Sequence, residues 1–417
     1  MKSSRFTKNA AKSIPAISTA IITIATLSNI PASHAQTATG YSCVRNWYVS
    51  QNGSDRAGGS STATPWRTLQ HADSSGLLRA GDCVNVAPGT YPVTVATYLS
   101  HSGNANSPTG YIVYRSTTPR GAKIVASAQN MGDIIDIQGN YVIIDGFEIN
   151  GGNAGLSRSP FTNGTGLYAT GHHFQAVNNL VHDCGGSGIA MGYKDWYWVV
   201  GNTAYNNAFF SPYHTSGIAI FEPRAVSFTP TSADTGAVYH IIIKNNVSHN
   251  NSERYVRTAH TDGNGIILDD FRNSQASGTP YPYRSLIQSN TVYANGGSGI
   301  HLYETDHVTI DSNKAFNNDQ DATMVASWRG ELYNGFASNN TWTNNQAAAT
   351  SVTAPTDWRR YNTAVVDAHS GAANVNVVWS NNANIDTRTG ARSYFIDDPT
   401  RAAAFPKNNP LGRPLSP

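Results

Sequence analysis

The sequence predicts an all-β chain wound into a parallel β-helix, a solenoid with coils of about 23 residues. Three observations predict it. Short strand-like runs recur along the chain, Asn returns at one point of each repeat, and Gly and Asn fill the turns while charged residues make up only 13% of the chain. Low charge with abundant Gly and Asn suits turn-rich β structure better than helix.

One half of the repeat is a "GI" strand: "SGIAMGY" (187–193), "SGIAIFE" (216–222), "NGIILDD" (264–270) and "SGIHLYE" (298–304), with "TGLYATG" (165–171) as a weaker copy. The other half centres on Asn. Aligned on one residue, the series is Asn179, Asn202, Asn246, Asn290, Asn313 and Asn340, at intervals of 23, 44, 44, 23 and 27. A basic coil of about 23 residues with two long insertions accounts for all five. These Asn side chains are expected to hydrogen-bond up and down the axis. A leucine-rich repeat would need regularly spaced Leu, and a propeller needs repeats of about 40 or more. Ile189, Ile266, Ile300 and Val292 are expected in the core, because Ile266 and Leu268 fall on one face of the "GIIL" alternation.

The remaining elements follow in chain order. Residues 1–35 read as a secretory signal: Lys2, Arg5, Lys8 and Lys12, then "IPAISTAIITIATL", then small residues ending at Ala35. No later run approaches the roughly 20 apolar residues that span a bilayer. The expectation is a secreted or periplasmic monomer without a membrane partner. The signal removes four of 28 basic residues and none of 26 acids, which leaves 24 against 26, or −2. No basic patch points to nucleic acid. Residues 36–80 are expected to form an N-terminal cap with a short helix over about 67–79. The β-helix follows over 81–386, and 387–417 are expected to close it as an irregular cap. Cys43 and Cys83 each lie beside a strand-like run and are expected to form a disulfide if exported. Cys184 is then left over as a small buried side chain, and "HHF" (172–174) reads as a turn.

The chemistry is expected where the "GI" strands end. Five residues after each Gly stand Tyr193, Glu222, Asp270 and Glu304, and one position earlier Gly192, Phe221, Asp269 and Tyr303. Coils stack about 4.8 Å apart. Glu222, Asp270 and Glu304 should therefore form a vertical row with Asp269 beside it. Such a row calls for a cation, nearby bases or shared protons. Long insertions flank it and bring Tyr213, His214, Arg254, Tyr255, Arg257, His260, Asp262, Tyr281 and Tyr283. Loops on a rigid scaffold concentrate function, and aromatic residues beside charges suit a sugar polymer. His214, Arg254, Arg257, His260, Asp262 and Tyr283 are the expected substrate contacts. His260 and His301 read as site or surface histidines, since no HExxH or Cys/His cluster marks zinc. Arg224 and Arg272, level with Asp195 and Asp306, are compatible with a ladder of ion pairs.

The segment "WYVSQNGSD…GDCVNVAPGTYPV" and the "GI" and "NN-V--N" repeats resemble the secreted right-handed parallel β-helix proteins of the pectate-lyase-like superfamily. The resemblance covers about 45–350. It implies handedness and a polysaccharide partner, and it embraces lyases, hydrolases, epimerases and non-catalytic proteins. For a lyase acting by β-elimination on a uronic-acid chain, it implies Ca²⁺ on a carboxylate cluster and a Lys or Arg base. Asp269, Asp270, Glu222 and Glu304 would be the ligands, with Lys194, Arg254, Arg257 or Arg272 as base. The sequence departs from such lyases in lacking a Lys at a fixed distance from an Asp cluster.

The lyase leads as the expected function. A glycoside hydrolase is the alternative, and it needs only two carboxylates, about 5–5.5 Å apart for retention or 6.5–9.5 Å for inversion. Neighbouring-coil acids such as Asp270 and Glu304 match the first range. The third reading is a non-catalytic carbohydrate-binding protein in which the repeat supplies only rigidity.

Overall fold

The computed structural model describes residues 41–106, 108–128, 131–152, 164–211, 215–226, 238–254, 260–324, 329–350, 362–369 and 372–415. The expected signal segment lies outside them. Three all-parallel sheets of 11, 10 and 10 strands run the length of the molecule, and each coil gives one strand to each in turn. One coil reads Tyr197–Val200, Thr203–Tyr205 and Ile218–Phe221 before the chain returns to the first sheet at Tyr239–Lys244. This is the expected parallel β-helix.

Period-2 alternation explains the core. In Ile266–Asp269 the side chains of Ile266 and Leu268 point inward and are fully buried, and Ile189, Ile300 and Val292 are buried with them. The "GI" strands align as expected, with Ile189, Ile218, Ile266 and Ile300 in one column.

The Asn ladder is continuous. Asn202 Nδ2 donates to Asn246 Oδ1 at 3.1 Å, and Asn246 Nδ2 to Asn290 Oδ1 at 2.9 Å, so each 44-residue interval is a single coil. The last step of the expected series is corrected. Asn313 Nδ2 donates to Asn345 Oδ1 at 2.9 Å, and the ladder continues through Asn382 to Asn409. Asn340 instead donates to the Thr305 carbonyl and accepts from Val308 N. Both residues belong to "NNTWTNN", and only the pairing of strands distinguishes them. A second ladder, Asn207–Asn251–Asn295–Asn318, ends on the buried carboxylate of Glu331. It explains the repeated Gly of "GI". A Cβ at Gly265 would lie 2.8 Å from Asn295 Nδ2, and one at Gly217 2.4 Å from Asn251 Nδ2.

Both ends are covered, which removes open strand edges. The N-terminal helix is shorter than expected, Leu69–Ser74, capped by the Thr68 hydroxyl on His71 N. Its buried Asp73 takes bonds from Tyr114 Oη and from Ser100 N. The C-terminal end is not irregular. A further strand, Tyr394–Ile396, is followed by a helix, Pro399–Asn408, whose Phe405 packs on Tyr394 and Trp379. Proline at the start of that helix is the sequence cue. The Cys43–Cys83 disulfide is present with Cα atoms 5.4 Å apart, and Cys184 is buried.

Candidate active site

Many coils leave a sheet through a residue of positive φ. At the exit of the first sheet these include Gly146, Asn178, Gly201, Asn245, Ser289 and Ser312, and at the exit of the second Asp183, Asn206, Asn250, Ala294 and Asn317. Most are residue types that tolerate this region at little cost. At the exit of the third sheet they are Tyr193, Glu222, Asp270, Glu304 and Phe336, with φ of 65°, 41°, 49°, 47° and 51°. Glu, Tyr and Phe are costly choices for such a backbone, so the side chain and not the turn accounts for them.

The register places the acids in a row. Phe221, Asp269 and Tyr303 are Cα partners on successive strands, and Glu222, Asp270 and Glu304 each follow by one residue. Backbone bonds from Glu222 N to Asp269 O (3.0 Å) and from Asp270 N to Tyr303 O (2.9 Å) continue this register into the turn. Asp269 points outward, with Phe221 on the coil below and Tyr303 on the coil above. Further aromatic rings flank both: Tyr193 and Tyr168 pack on Phe221, and Phe336 packs on Tyr303.

Proximity divides the carboxylates by role. Burial, followed by the charges of Asp270, Glu304 and Glu222, pushes Asp269 up to about 7. Burial and then Asp270 also raise Glu222, against the pull of Arg224 at 3.7 Å. Asp270 is nearly fully buried and holds its own loop. Its Oδ1 accepts from Ser274 N (2.8 Å) and Ser274 Oγ (2.9 Å), and its Oδ2 from Gln275 N (2.9 Å). Ser274 Oγ also contacts Glu304 Oε2, so one hydroxyl lies between two carboxyl groups.

The fit to Ca²⁺ can be judged from these partners. Ca²⁺ takes 6–8 oxygen ligands. Among the described residues no group of three or more His, Cys, Asp or Glu side chains is arranged to hold a metal ion. Both oxygens of Asp270 are already committed to the loop. The carboxylates as they stand do not form a Ca²⁺ cage.

The structure separates the other expected residues. Arg272 is locked in a two-point pair with Asp306 (2.9 and 2.8 Å) that raises its pKa. That pair is one rung of the expected ladder; the other is not formed, since Arg224 lies 3.7 Å from Glu222 and buried Asp195 bonds to His240 and Tyr281. Lys194 is exposed in the turn after Tyr193, and burial, followed by the Lys194 charge, lowers His172. Tyr283 faces elsewhere, at the end of a stack formed with Tyr141, His173, Trp196 and His240. Arg254 lies over the ring of Phe209 at 3.9 Å, and His260 pairs with Asp321 at 2.5 Å. Asp262 accepts from Asn264 Nδ2 at 2.7 Å, before the strand that carries Asp269. His214 and Arg257, with Tyr213 and Tyr255, lie outside the described residues. Ser274 and the flanking rings of Phe221 and Tyr303 were not among the expected site residues. The column one position before the acids is the signal that contains both rings.

No family model and no curated protein sequence matches the chain. Among solved structures it is similar to a pectate lyase, at 15% identity and a TM-score of 0.49, covering 86% of this chain and 79% of that one. It is similar to a lacto-N-biosidase from Eubacterium ramulus, at 13% and 0.48, covering 88% and 67%. A rhamnogalacturonan lyase aligns at 12% and 0.41, covering 88% and 87%. Similarity at this level concerns the path of a parallel β-helix and not the chemistry on it.

Proposed function

We propose that the protein is a polysaccharide-active enzyme that cleaves glycosidic bonds by a carboxylate pair on adjacent coils, with Asp269 as the general acid. The observation that carries this reading is the environment of Asp269. A carboxyl group raised to about 7 keeps its proton near neutrality, beside carboxylates on the coils above and below. Pushing apart the pKa values of neighbouring acids is how such enzymes divide the roles of acid and base. Glu304, one coil above and oriented by Ser274, is the second carboxylate. Asp270 braces the loop that holds them. The rings of Phe221 and Tyr303 offer apolar surface to sugar faces. Of the bases considered for a β-elimination, Arg272 is paired with Asp306 and Arg254 lies over the ring of Phe209.

The test is a screen of the secreted protein and of Asp269→Asn and Glu304→Gln on plant and bacterial polysaccharides. New reducing ends without unsaturated uronate, lost about 10²–10⁴-fold in Asp269→Asn, support the proposal. Unsaturated product identifies a lyase. Binding without turnover, unchanged in both variants, identifies a carbohydrate-binding protein.

A further inference from the structure

At the N-terminal end of the solenoid the short helix Leu69–Ser74 closes only part of the opening. Its Gln70 side chain pairs with the edge strand Thr97–Leu99, accepting from Tyr98 N at 2.8 Å and donating to the Tyr98 carbonyl at 3.2 Å. The strand Gly89–Val93 ends another sheet and has a different guard. On its free edge, Thr90 N donates to Gln51 Oε1 at 2.9 Å, and Pro92 has no N–H to offer. A further strand therefore finds no donor there. Between this strand, the start of the helix and the turn to Thr97 lies a cavity of about 440 Å³. That size is typical of small-molecule sites.

Its walls are apolar: Leu69, Tyr91, Val93, Val95, Ala96 and Ile124. Leu69, Tyr91, Ala96 and Ile124 are buried, whereas Val95 is 69% exposed and stands at the mouth. The Tyr91 hydroxyl is spent on the Ala87 carbonyl at 2.7 Å, which leaves the ring for packing. The rim is basic and rich in donors. Arg67 is the one charged side chain among the described lining residues. Its Nε donates to the Gly53 carbonyl at 2.9 Å, and among the described residues its terminal nitrogens meet no acceptor. The turn closed by Gly53 N on the Ser50 carbonyl brings Gln51 to the same rim, with its amide nitrogen unspent. Gly89 makes room for it, since a Cβ there would lie 2.7 Å from Gln51 Cδ. Asp55, the acid of this loop, is occupied by Arg67 N, Thr68 N and Thr68 Oγ1. Apolar walls beneath a guanidinium and an amide donor complement an apolar body with an anionic head.

We infer that this cavity binds a small amphiphile whose apolar body packs on Leu69, Tyr91 and Ile124 and whose carboxylate or sulfonate head meets Arg67 and Gln51. The site is separate from the acid row. Along their common sheet, Thr97–Leu99 and Ile266–Asp269 are five strand spacings apart, about 24 Å. The inference does not depend on the glycan-cleaving reading.

Fluorescence titration of the secreted protein with 1-anilinonaphthalene-8-sulfonate tests it, with decanoate, decanol and decyltrimethylammonium as competitors. The expected result is saturable one-site binding, displaced by decanoate at least about tenfold better than by decanol or by the cation. Val95→Glu places a like charge at the mouth on an exposed side chain. It should weaken the sulfonate and decanoate about tenfold at low salt, with the loss shrinking as salt screens it. Arg67→Gln should bring decanoate down to the level of decanol. Neither variant should alter turnover of a polysaccharide. No saturable binding below about 1 mM, equal displacement by decanol or the cation, or unaltered affinity in both variants overturns the inference.

Discussion

Asp269→Asn should stabilise the protein while disabling it, and the stabilisation should grow with pH. In the folded chain the carboxyl titrates near 7, against 3.8 for the ordinary group. Between those values the folded state binds more protons than the unfolded state, so stability falls as pH rises. The favourable contribution of the protonated group is complete below about 3.8 and is lost as pH passes through about 7. About three units correspond to about 4 kcal/mol, and partial exposure together with the shared charge of three neighbours brings this to about 2–4 kcal/mol. Asn keeps the shape of the protonated acid and never ionises. The variant should therefore match wild type near pH 4 and exceed it at pH 8. With an unfolding entropy of about 2.1 cal/mol/K per residue over ~380 residues, the gain amounts to about 3–5 °C. Melting curves followed by circular dichroism at pH 4, 5, 6, 7 and 8 measure it. A Tm difference that stays constant over that range, or a variant less stable at pH 8, would refute the claim that Asp269 titrates near neutrality and remove the basis for its role as acid.

Two further outcomes are expected. Asn246→Ala removes four side-chain bonds of the ladder and takes from buried Asn202 N its acceptor. A buried orphan donor costs about 1–3 kcal/mol, and a denaturant midpoint indistinguishable from wild type would contradict the ladder's energetic role. Thorough EDTA treatment should leave cleavage of the preferred polysaccharide intact, because Asp270 is spent on its loop and the acids form no cage. Loss of activity restored by Ca²⁺ would return the metal-dependent lyase to first place.

Local sequence determined the architecture because its signals are local. The "GI" alternation, the Asn period and the Gly/Asn turns each act within a few residues, and repetition turns them into a stack. The row Glu222–Asp270–Glu304 was legible for the same reason, since equal offset from equivalent Gly residues means equal height on neighbouring coils. Where the repeat is interrupted, pattern no longer fixes position. Asn345 and Asn340 are alike in sequence, and only strand pairing chose Asn345 for the ladder. The C-terminal helix, Pro399–Asn408, follows the last strands and carries no repeat to announce it.

The roles of the acids were decided by tertiary structure alone. Asp269 and Asp270 are adjacent and chemically identical in sequence. One points outward among three carboxylates and is raised to about 7, while the other is buried and braces Ser274 and Gln275. Arg272, a candidate base by its sequence position, meets Asp306, 34 residues away, and is spent on that pair. Ionisation and hydrogen bonding depend on what lies within a few ångströms, and in a solenoid most of those neighbours come from the coils above and below, which sequence distance does not reveal.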